Sequence, residues 1–434
     1  QPSTLNPQPS TLNPQPSTIN HQPSTIAIDP QPSTSNLPVV TLKPRRAMPF
    51  FNRHPWVFAG AIHRVQGDPS PGAEVRLHAD DGEFIARGLF NPHSNIRVRL
   101  YGWNEDEPLE ANLWSRRLDQ AIALRRRLFP DMSTETACRM VASEADGISG
   151  LTVDRYGDWL LAQFTSLALW QRRDEFVRLL SEKLQPAGIW LRTEKGIRES
   201  EGLEVADGLV AGREPPRPLF IEENGVRYGV DVVEGQKTGF FLDQRENRRA
   251  VAAYVAGRRV LDVFCYSGGF ALACAVQGGA KEVLGIDSSA PAITLARANA
   301  ELNGVADRVR FEQGQAFEAL ERLRDAGERF DAVVLDPPKM TRHRKGLEQA
   351  LRGYHSLNHL AVEVLAPDGL LVSCSCSGLV SREEFEAMLA SVAQRSGRSI
   401  QILEARGQAP DHPVSTQCAE TAYLKCSICR AVEP

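Results

Sequence analysis

The sequence of 434 residues lacks several features that would restrict its class. It has no apolar run of membrane-spanning length, so we do not expect a membrane protein. Its amino-terminal part has no apolar segment of the signal-peptide kind and is not rich in arginine, so we expect neither a secretory signal nor a transit peptide. These absences predict a cytoplasmic protein.

The chain also lacks a strong charge and a cysteine framework. The net charge is only −4, which neither indicates nor excludes binding to nucleic acid. The eight cysteines are scattered, which favours a reducing compartment over a disulfide scaffold. One close pair, Cys426 and Cys429, follows Cys418 and His412 at a spacing too irregular for a structural zinc site. We therefore expect no metal.

Composition and residue pattern divide the chain into four parts. Residues 1–37 repeat the proline-rich heptad QPSTLNP, which cannot bury a core, and we expect them to be disordered. Residues 38–111 alternate apolar and polar residues between Asp-Gly and Asn-Pro turns and predict a small β domain. Residues 112–217 predict a connecting helix and a small α+β unit. That unit has predicted strands at 138–142, 149–155, 159–165 and 188–193 and a helix at 168–184.

Residues 218–434 alternate strands with helices, which predicts an α/β fold with a doubly wound parallel sheet. The predicted strands are 226–233, 259–264, 282–286, 308–312, 330–335, 369–374, 399–405 and 421–427. The predicted helices are 244–256, 270–278, 290–302, 315–325, 346–365 and 381–395.

Three of these strands end in residues capable of chemistry. They are LDVFCYSGGF (261–270), VVLDPPKM (333–340) and VSCSCSGL (372–379). Ligands of open α/β sheets bind outside the carboxyl ends of the strands. We therefore expect a glycine turn, a carboxylate and two cysteines around one crevice.

The glycine turn predicts a nucleoside site. Ser267 and Gly268 allow a sharp turn, and Asp287 ends the next strand, where an acid can bind ribose hydroxyls. The full G-x-G-x-x-G is absent, so S-adenosylmethionine, which has a ribose and no phosphate, fits better than a dinucleotide. Asp262 either orients the methionine part of this donor or caps a helix. Gln315 either faces the adenine or begins a helix.

The carboxylate and the thiols predict pyrimidine chemistry. Pro337 restricts Asp336 to an extended backbone at the end of a strand, which suits a positioned acid. We interpret Cys374 as a small buried residue and Cys376, beyond the apolar run, as a nucleophile. A thiolate that adds to C6 of a pyrimidine makes C5 nucleophilic toward a methyl sulfonium. Three alternatives stay open: an exocyclic-amine methyltransferase, an inactive ribosome-associated RNA-binding protein and, more distantly, a dinucleotide oxidoreductase.

Longer motifs carry a family resemblance. They include NRHPWVFAGAI (52–62), ADGISGLTVDRYG (145–157), GQKTGFFLDQRENR (235–248) and DHPV (411–414), beside the strand-end motifs above. Over residues 40–434 the chain resembles the bacterial large-subunit (23S) rRNA cytosine-C5 methyltransferases of the methyltransferase I type. The resemblance implies an RNA-binding PUA domain at 38–111, a central α+β domain, and a Rossmann-like class I methyltransferase domain at 218–434. It also implies S-adenosylmethionine as donor and large-subunit rRNA as partner.

The resemblance assigns roles to individual residues. Cys376 is implied as the nucleophile and Asp336 as the acid. The residues implied at the donor site are Asp262, Phe264, Tyr266, Ser267, Gly268, Asp287, Gln315 and Gln244. The residues implied to bind substrate are Lys237, Arg245 and Lys339. The family usually has an aspartate where this chain has Gln315, whose oxygen can still accept a hydrogen bond from adenine.

Contacts to RNA outside the site have weaker signals. His54, Trp56 and Phe58 either stack on a base or belong to the core of the β domain. The basic runs 125–127 and 342–345 either meet phosphates or form solvated faces. The sequence leaves a homodimer open.

Overall fold

The computed structural model describes residues 37–193, 196–235, 238–341 and 343–433. Nearly all of the repeat at 1–37, together with Lys237 and Arg342, lies outside the described residues, so the predictions for them are not addressed. Within the described ranges, every helix is too short or too polar to span a lipid bilayer.

The amino-terminal domain is a six-stranded sheet with one short helix. Its elements are β1 (Val39–Leu42), α1 (Met48–Phe51), β2 (Trp56–Phe58), β3 (Ile62–Gln66), β4 (Glu74–His78), β5 (Phe84–Phe90) and β6 (Ile96–Gly102). The strand order is β2-β6-β5-β4-β1-β3. Strand β4 shows the predicted alternation, since Val75 and Leu77 are buried between partly exposed polar residues.

The central domain begins with a long helix and contains a five-stranded sheet of order β11-β10-β9-β8-β7. Its elements are α2 (Ala111–Leu128), β7 (Ala137–Ala142), β8 (Leu151–Tyr156), β9 (Trp159–Phe164), α3 (Leu167–Trp170), α4 (Arg173–Leu184), β10 (Gly188–Leu191), α5 (Ile197–Glu201) and β11 (Gly208–Gly212). Strand β11 is absent from the sequence prediction. It is an exposed edge strand with a glycine at each end, so it lacks the buried alternation that marks the other strands.

The carboxy-terminal domain contains a two-stranded ribbon and a seven-stranded sheet. The ribbon is β12 (Leu219–Glu223) and β13 (Val226–Val230). The sheet and its helices are α6 (Arg245–Ala252), β14 (Arg259–Val263), α7 (Gly269–Val276), β15 (Glu282–Asp287), α8 (Ala290–Leu302), β16 (Val309–Gln313), α9 (Ala316–Asp325), β17 (Phe330–Leu335), α10 (Leu347–Glu363), β18 (Leu365–Ser375), α11 (Arg382–Ser396), β19 (Ser399–Arg406) and β20 (Lys425–Val432).

The sheet order is β16-β15-β14-β17-β18-β20-β19, and the first five strands are parallel. Apolar side chains of one strand fill cores on both faces. In β17, Ala332 and Val334 join one cluster of buried residues, and Val333 and Leu335 join the other. Burial on both faces explains the continuous apolar runs by which these strands were predicted.

One strand, β20, differs from the prediction of a wholly parallel sheet. Strand β20 inserts between β18 and β19 and pairs antiparallel with both. It spans Lys425–Val432, whereas the sequence predicts a strand at 421–427. The buried residues Cys426, Ile428 and Cys429 lie in this strand, which begins four residues later than predicted.

The chain order reverses between β14 and β17. From β14 the chain proceeds through β15 and β16 on one side, and it returns through β17 and β18 on the other. Such a reversal leaves a crevice at the carboxyl ends of the two central strands, where ligands of doubly wound sheets bind.

Candidate active site

A cavity of about 270 Å³ lies in this crevice. It is lined by residues at or after the ends of β14, β15, β16, β17 and β18, by α6 and the segment before it, by the first residues of α7 and by the residue before β20. The lining residues are Phe240, Phe241, Asp243, Gln244, Arg248, Phe264, Cys265, Tyr266, Gly269, Phe270, Asp287, Ser288, Gln315, Asp336, Pro337, Pro338, Cys376 and Leu424. Of the predicted site residues, seven therefore share one cavity wall: Gln244, Phe264, Tyr266, Asp287, Gln315, Asp336 and Cys376.

The turn after β14 is held in a conformation that side chains rarely adopt. Phe264 and Tyr266 have positive φ angles of 67° and 49°, and Gly268 has a φ of 90°. The amides of Phe264 and Cys265 both donate to the carbonyl oxygen of Ile286, at 2.8 and 3.1 Å. Strained backbone angles of this kind persist only where the surrounding structure holds them in place, and they often occur at ligand sites.

Asp287 is fixed at the end of β15 by backbone donors. Its Oδ2 accepts from the amide of Tyr266 at 3.0 Å, and its Oδ1 accepts from the amide of Ser289 at 2.9 Å. Each carboxylate oxygen keeps a further lone pair. A carboxylate held in this way at the cavity wall fits the ribose hydroxyls of S-adenosylmethionine.

Asp262 lies behind the wall, fully buried at the end of β14. Its Oδ2 accepts from the amide of Ala271 at 2.9 Å in the first turn of α7, so the helix-capping alternative is correct for this oxygen. Its Oδ1 has no partner among the described residues. Burial, with added repulsion from Asp336 and Asp287, raises the pKa of Asp262 well above its usual value. A buried oxygen without a partner beside the cavity fits a cationic group of the donor.

The other donor-site predictions divide in two. Gln315 precedes α9 and lies on the cavity wall, and its side chain does not cap that helix. Ser267 and Gly268 are not on the wall. The Ser267 side chain is fully buried, and Gly268 begins the turn into α7, so both residues shape the turn.

The loops that carry the acid and the thiol meet at the cavity. The Sγ atom of Cys376 lies 3.9 Å from the carbonyl oxygen of Pro337, the residue after Asp336. Cys376 is half-buried, whereas Cys374 is fully buried and faces Cys426 across the β18–β20 pair. This position agrees with the interpretation of Cys374 as a packing residue.

A hydroxyl network joins the two loops that carry Asp336 and Cys376. The hydroxyl of Tyr354 on α10 lies 3.0 Å from the Oγ atoms of both Ser375 and Ser377. The Oγ of Ser377 in turn accepts from the amide of Met340 at 3.2 Å. The network fixes the residues on either side of Cys376, and none of its side chains lies on the cavity wall.

The three predicted substrate-binding residues have different positions. Lys339 is exposed beside the cavity, directly after Pro338, and Lys237 lies outside the described residues. The prediction that Arg245 binds substrate is wrong, because its guanidinium is buried and pairs with Asp411 at 3.2 Å and Glu223 at 3.6 Å. A guanidinium held by two buried carboxylates stabilises the domain and does not face RNA.

The basic run at 125–127 needs a similar correction. Arg125 is fully buried, where it pairs with Asp146 at 2.8 Å and donates to the carbonyl oxygen of Asp411 at 2.7 Å. It therefore joins the central domain to the carboxy-terminal domain. Only Arg126 and Arg127 are exposed.

Of the aromatic residues His54, Trp56 and Phe58 in the amino-terminal domain, Trp56 contacts the central domain. The Nε1 atom of Trp56 donates to Glu144 at 3.1 Å and to Ser149 at 3.2 Å in the central domain. Phe58, by contrast, is 46% exposed. Of the three residues that were candidates for stacking on RNA, only Phe58 presents a large free face.

One cluster of possible metal ligands occurs among the described residues. The ligand atoms of His54, Cys418 and Glu420 lie within 4.8 Å of one another. Nδ1 of His54 accepts from the amide of Trp56 at 3.3 Å, so Nε2 carries the proton and donates to Glu420 at 3.3 Å. If Nε2 bound a metal, the imidazole proton would have to lie on Nδ1, which here accepts a hydrogen bond. The hydrogen bonds therefore indicate a contact between the amino-terminal domain and the loop of Glu420, and not a metal site.

Sequence reasoning missed several residues of the site. Arg248 lines the cavity, binds both oxygens of Glu223 at 2.7 Å and donates to the carbonyl oxygen of Phe241 at 3.1 Å. Lys425 lies beside the loop of Cys376. A basic residue in a helix or a strand has no local sequence signal of function, and only the folded structure shows that it lies beside the cavity.

Comparisons with known proteins agree with this architecture. Residues 205–428 match the family model of S-adenosylmethionine-dependent methyltransferases, and residues 40–103 match a PUA-like domain. A ribosomal RNA large subunit methyltransferase I of Tolumonas auensis is 42% identical over 395 residues, which cover 91% of this chain and 99% of the relative. The protein of the same name from Aeromonas hydrophila is 42% identical over 388 residues, which cover 89% of this chain and 97% of the relative.

Solved structures share the fold. A protein of Streptococcus mutans described as a SAM-dependent methyltransferase matches with a TM-score of 0.78 at 20% identity and covers 90% of this chain and 99% of its own. A methyltransferase structure in complex with SAH matches with the same TM-score of 0.78 at 21% identity. The likeness extends over all three described domains.

Proposed function

Because the chain belongs to the ribosomal RNA large subunit methyltransferase I family, whose members use S-adenosylmethionine, we propose that it methylates C5 of a cytosine in large-subunit rRNA. The reaction proceeds through a covalent adduct with Cys376. The observation that carries the proposal is the meeting of Cys376, Asp336 and Asp287 in one cavity at the carboxyl ends of the parallel strands.

S-adenosylmethionine would lie along the turn after β14. Asp287 would hold the ribose, Gln315 and Phe264 would face the adenosine part, and Asp262 and Gln244 would lie toward the methionine part. When bound, S-adenosylmethionine supplies a methyl group on a positively charged sulfur, which keeps the bonding electron pair when C5 takes the methyl. The residues of the chain then have to make C5 nucleophilic.

Cys376 and Asp336 perform that activation. The thiolate of Cys376 forms a bond to C6, and the electron pair of the C5–C6 double bond moves toward C4 and N3. Asp336 in its acid form donates a proton to N3, which neutralises the developing charge. After methylation, loss of the C5 proton to a base restores the C5–C6 double bond. The bond between C6 and sulfur breaks, the thiolate leaves, and N3 returns its proton to Asp336.

The substrate has to enter the cavity as a single base. A cytosine inside folded RNA must be unstacked and swung out of the helix before its C6 can meet a sulfur atom. Lys339, beside the cavity, and Phe58, on the PUA-like domain, are both exposed, and we propose that they contact the RNA that flanks such a base. Both are proposed contacts to phosphate or to a base face.

The test uses RNA that contains 5-fluorocytosine, whose fluorine cannot leave as a proton does. In the presence of S-adenosylmethionine we expect the wild type to form a covalent RNA adduct that survives denaturing gel electrophoresis. We expect Cys376→Ala to form none and Cys374→Ala, the matched control two residues earlier in the chain, to form it normally. An adduct in Cys376→Ala would refute the assignment of the nucleophile.

Turnover on rRNA separates the remaining alternatives. Activity retained by Cys376→Ala would favour an exocyclic-amine methyltransferase, in which the Asp336-Pro337-Pro338 turn holds the amino group. Donor binding without turnover on any rRNA fraction would favour an inactive RNA-binding protein.

A further inference from the structure

Lys425 is a buried lysine at the first position of β20. It is only 4% exposed. It lies directly opposite Ser375 in the antiparallel pairing of β18 and β20, one residue before Cys376. Its Nζ donates to the carbonyl oxygen of Ser377 at 2.7 Å and to that of Tyr423 at 3.0 Å. The ammonium is therefore hydrogen-bonded to Ser377, the residue that directly follows Cys376.

The partners of this ammonium are neutral. In the described part of the chain, no carboxylate lies within 4.0 Å of the Lys425 nitrogen, and its two acceptors are carbonyl oxygens. A buried cation without an anion is costly, so such a residue is retained where an anion forms. An ammonium has three donors, and the two carbonyls use two of them.

The charges around Lys425 indicate where that anion forms. Burial lowers the pKa of Lys425 to about 8, and among neighbouring charges that of Cys376 acts most strongly, in the opposite direction. Lys339 and Arg382 are cations of the same sign, and Glu384 is an acid whose side chain caps α11 at Ser381. Asp336 and the hydroxyl of Tyr354 also face Cys376, from the β17 and α10 sides of the site.

We propose that Lys425 is a positioning residue of the reaction, whose buried ammonium stabilises the charged form of the Cys376 sulfur and fixes the loop that carries it. The inference rests on the proposed function, because it needs Cys376 to be the nucleophile. The thiol proton passes to solvent when the thiolate forms. The same ammonium also favours the last step, since the departing sulfur recovers its negative charge beside it.

The first experiment measures the thiol without RNA or donor. Iodoacetamide alkylates the thiolate, and mass spectrometry of the peptide that contains Cys376 gives its rate from pH 5.5 to 10. The other seven cysteines are buried, which favours selective reaction at Cys376. The variants are Lys425→Gln, which removes the charge and keeps an N–H donor, and Lys425→Arg, which keeps the charge. Lys281→Gln, at an exposed lysine, is the matched control.

We expect Lys425→Gln to move the midpoint of the alkylation profile upward by about one pH unit, so that the rate at pH 7 falls about tenfold. Lys425→Arg and Lys281→Gln should keep the wild-type midpoint. A merely structural role would lower the rate equally at every pH or change only the melting temperature. An unchanged midpoint in Lys425→Gln overturns the inference. Titration with S-adenosylhomocysteine shows whether Lys425→Gln is folded. If it is not, Lys425→Arg is the deciding variant, and a raised midpoint of its alkylation profile overturns the inference.

The second experiment separates this inference from the proposed function. The pH profile of kcat/KM on rRNA should shift upward in Lys425→Gln, with activity recovered toward pH 9, whereas the donor dissociation constant stays unchanged. If Cys376→Ala retains turnover, the proposed function fails, and the alkylation profiles still report on Lys425. If Cys376→Ala is inactive and the profiles of Lys425→Gln match the wild type, only the inference about Lys425 fails.

Discussion

Asp411, in the loop between β19 and β20, should be among the side chains whose loss destabilises the protein most. Its Oδ2 accepts from the amide of Arg139 on β7 at 2.9 Å and pairs with the guanidinium of Arg245 at 3.2 Å. Its Oδ1 lies 3.1 Å from Nδ1 of His412. One fully buried carboxylate thus joins the central domain, helix α6 and its own loop.

Asp411→Asn keeps the shape and removes the charge. The substitution leaves Arg245 buried with Glu223 as its remaining acid, 3.6 Å away. Removing one partner of a buried ion pair costs roughly 3–5 kcal/mol, and because the amide oxygen still accepts from Arg139 we expect about 3 kcal/mol in the free energy of unfolding. Burial alone would raise the pKa of Asp411, but His412 and Arg245 outweigh it and hold that pKa well below its usual value.

This pKa direction fixes the sign of the pH dependence. A carboxyl with a depressed folded-state pKa stabilises the fold above its unfolded pKa of about 3.9 and loses that contribution as the pH falls through the folded value. The difference between wild type and Asp411→Asn should therefore be fully present at pH 5 and shrink below pH 4.

The assay combines urea unfolding with hydrogen exchange. The amide of Arg139 donates to the altered side chain, so its exchange should accelerate in Asp411→Asn before the whole protein unfolds. Asp368→Asn is the matched control, because Asp368 pairs with Arg430 at the surface, where an ion pair contributes about 0–1 kcal/mol. Equal unfolding free energies for Asp411→Asn and the wild type at pH 7 would refute the reasoning.

Two predictions concern the donor side of the cavity. Gly268→Ala should lower the affinity for S-adenosylhomocysteine at least tenfold in calorimetry, because φ is 90° there and an added Cβ would lie 2.9 Å from the Cζ atom of Phe311. Gly279→Ala, with a φ of 62° and open space around the added atom, should bind normally, and equal losses in both would contradict the steric argument. Asp287→Ala should weaken the same binding about a hundredfold, since two hydroxyl contacts of about 1.4 kcal/mol each are lost. An affinity within a factor of three of the wild type would remove Asp287 from the ribose site.

The parallel part of the sheet and its site were predictable because each signal is local. An apolar run that ends in Asp336 before two prolines, or in a glycine turn at Gly268, encodes both a buried strand and the chemistry at its end. The carboxyl ends of parallel strands meet at one edge, so Asp287, Gln315, Asp336 and Cys376 reach the same cavity without any knowledge of helix packing. Phe264, Tyr266 and Gln244 were implied by the family resemblance.

The residues that sequence reasoning misjudged act over long distances in the chain. Arg125 and Arg245 are basic residues on helices, a pattern typical of exposed faces. In the fold both meet the segment at Asp411, 286 and 166 residues further along the chain. No periodicity or motif encodes such a distant partner. From the sequence alone, the residues of a buried ion pair between domains are therefore predicted to be exposed.

Lys425 shows why topology matters for the chemistry as well. In a wholly parallel sheet, the neighbour of β18 would present its first residue at the far edge, away from the loop of Cys376. Because β20 runs antiparallel, its first residue lies beside the last residue of β18, Ser375. The reversed strand thus delivers a buried ammonium to the same edge at which the parallel strands deliver the carboxylates and the thiol. Where a doubly wound sheet contains an antiparallel strand, the start of that strand is therefore as good a place to search for functional residues as the ends of the parallel ones.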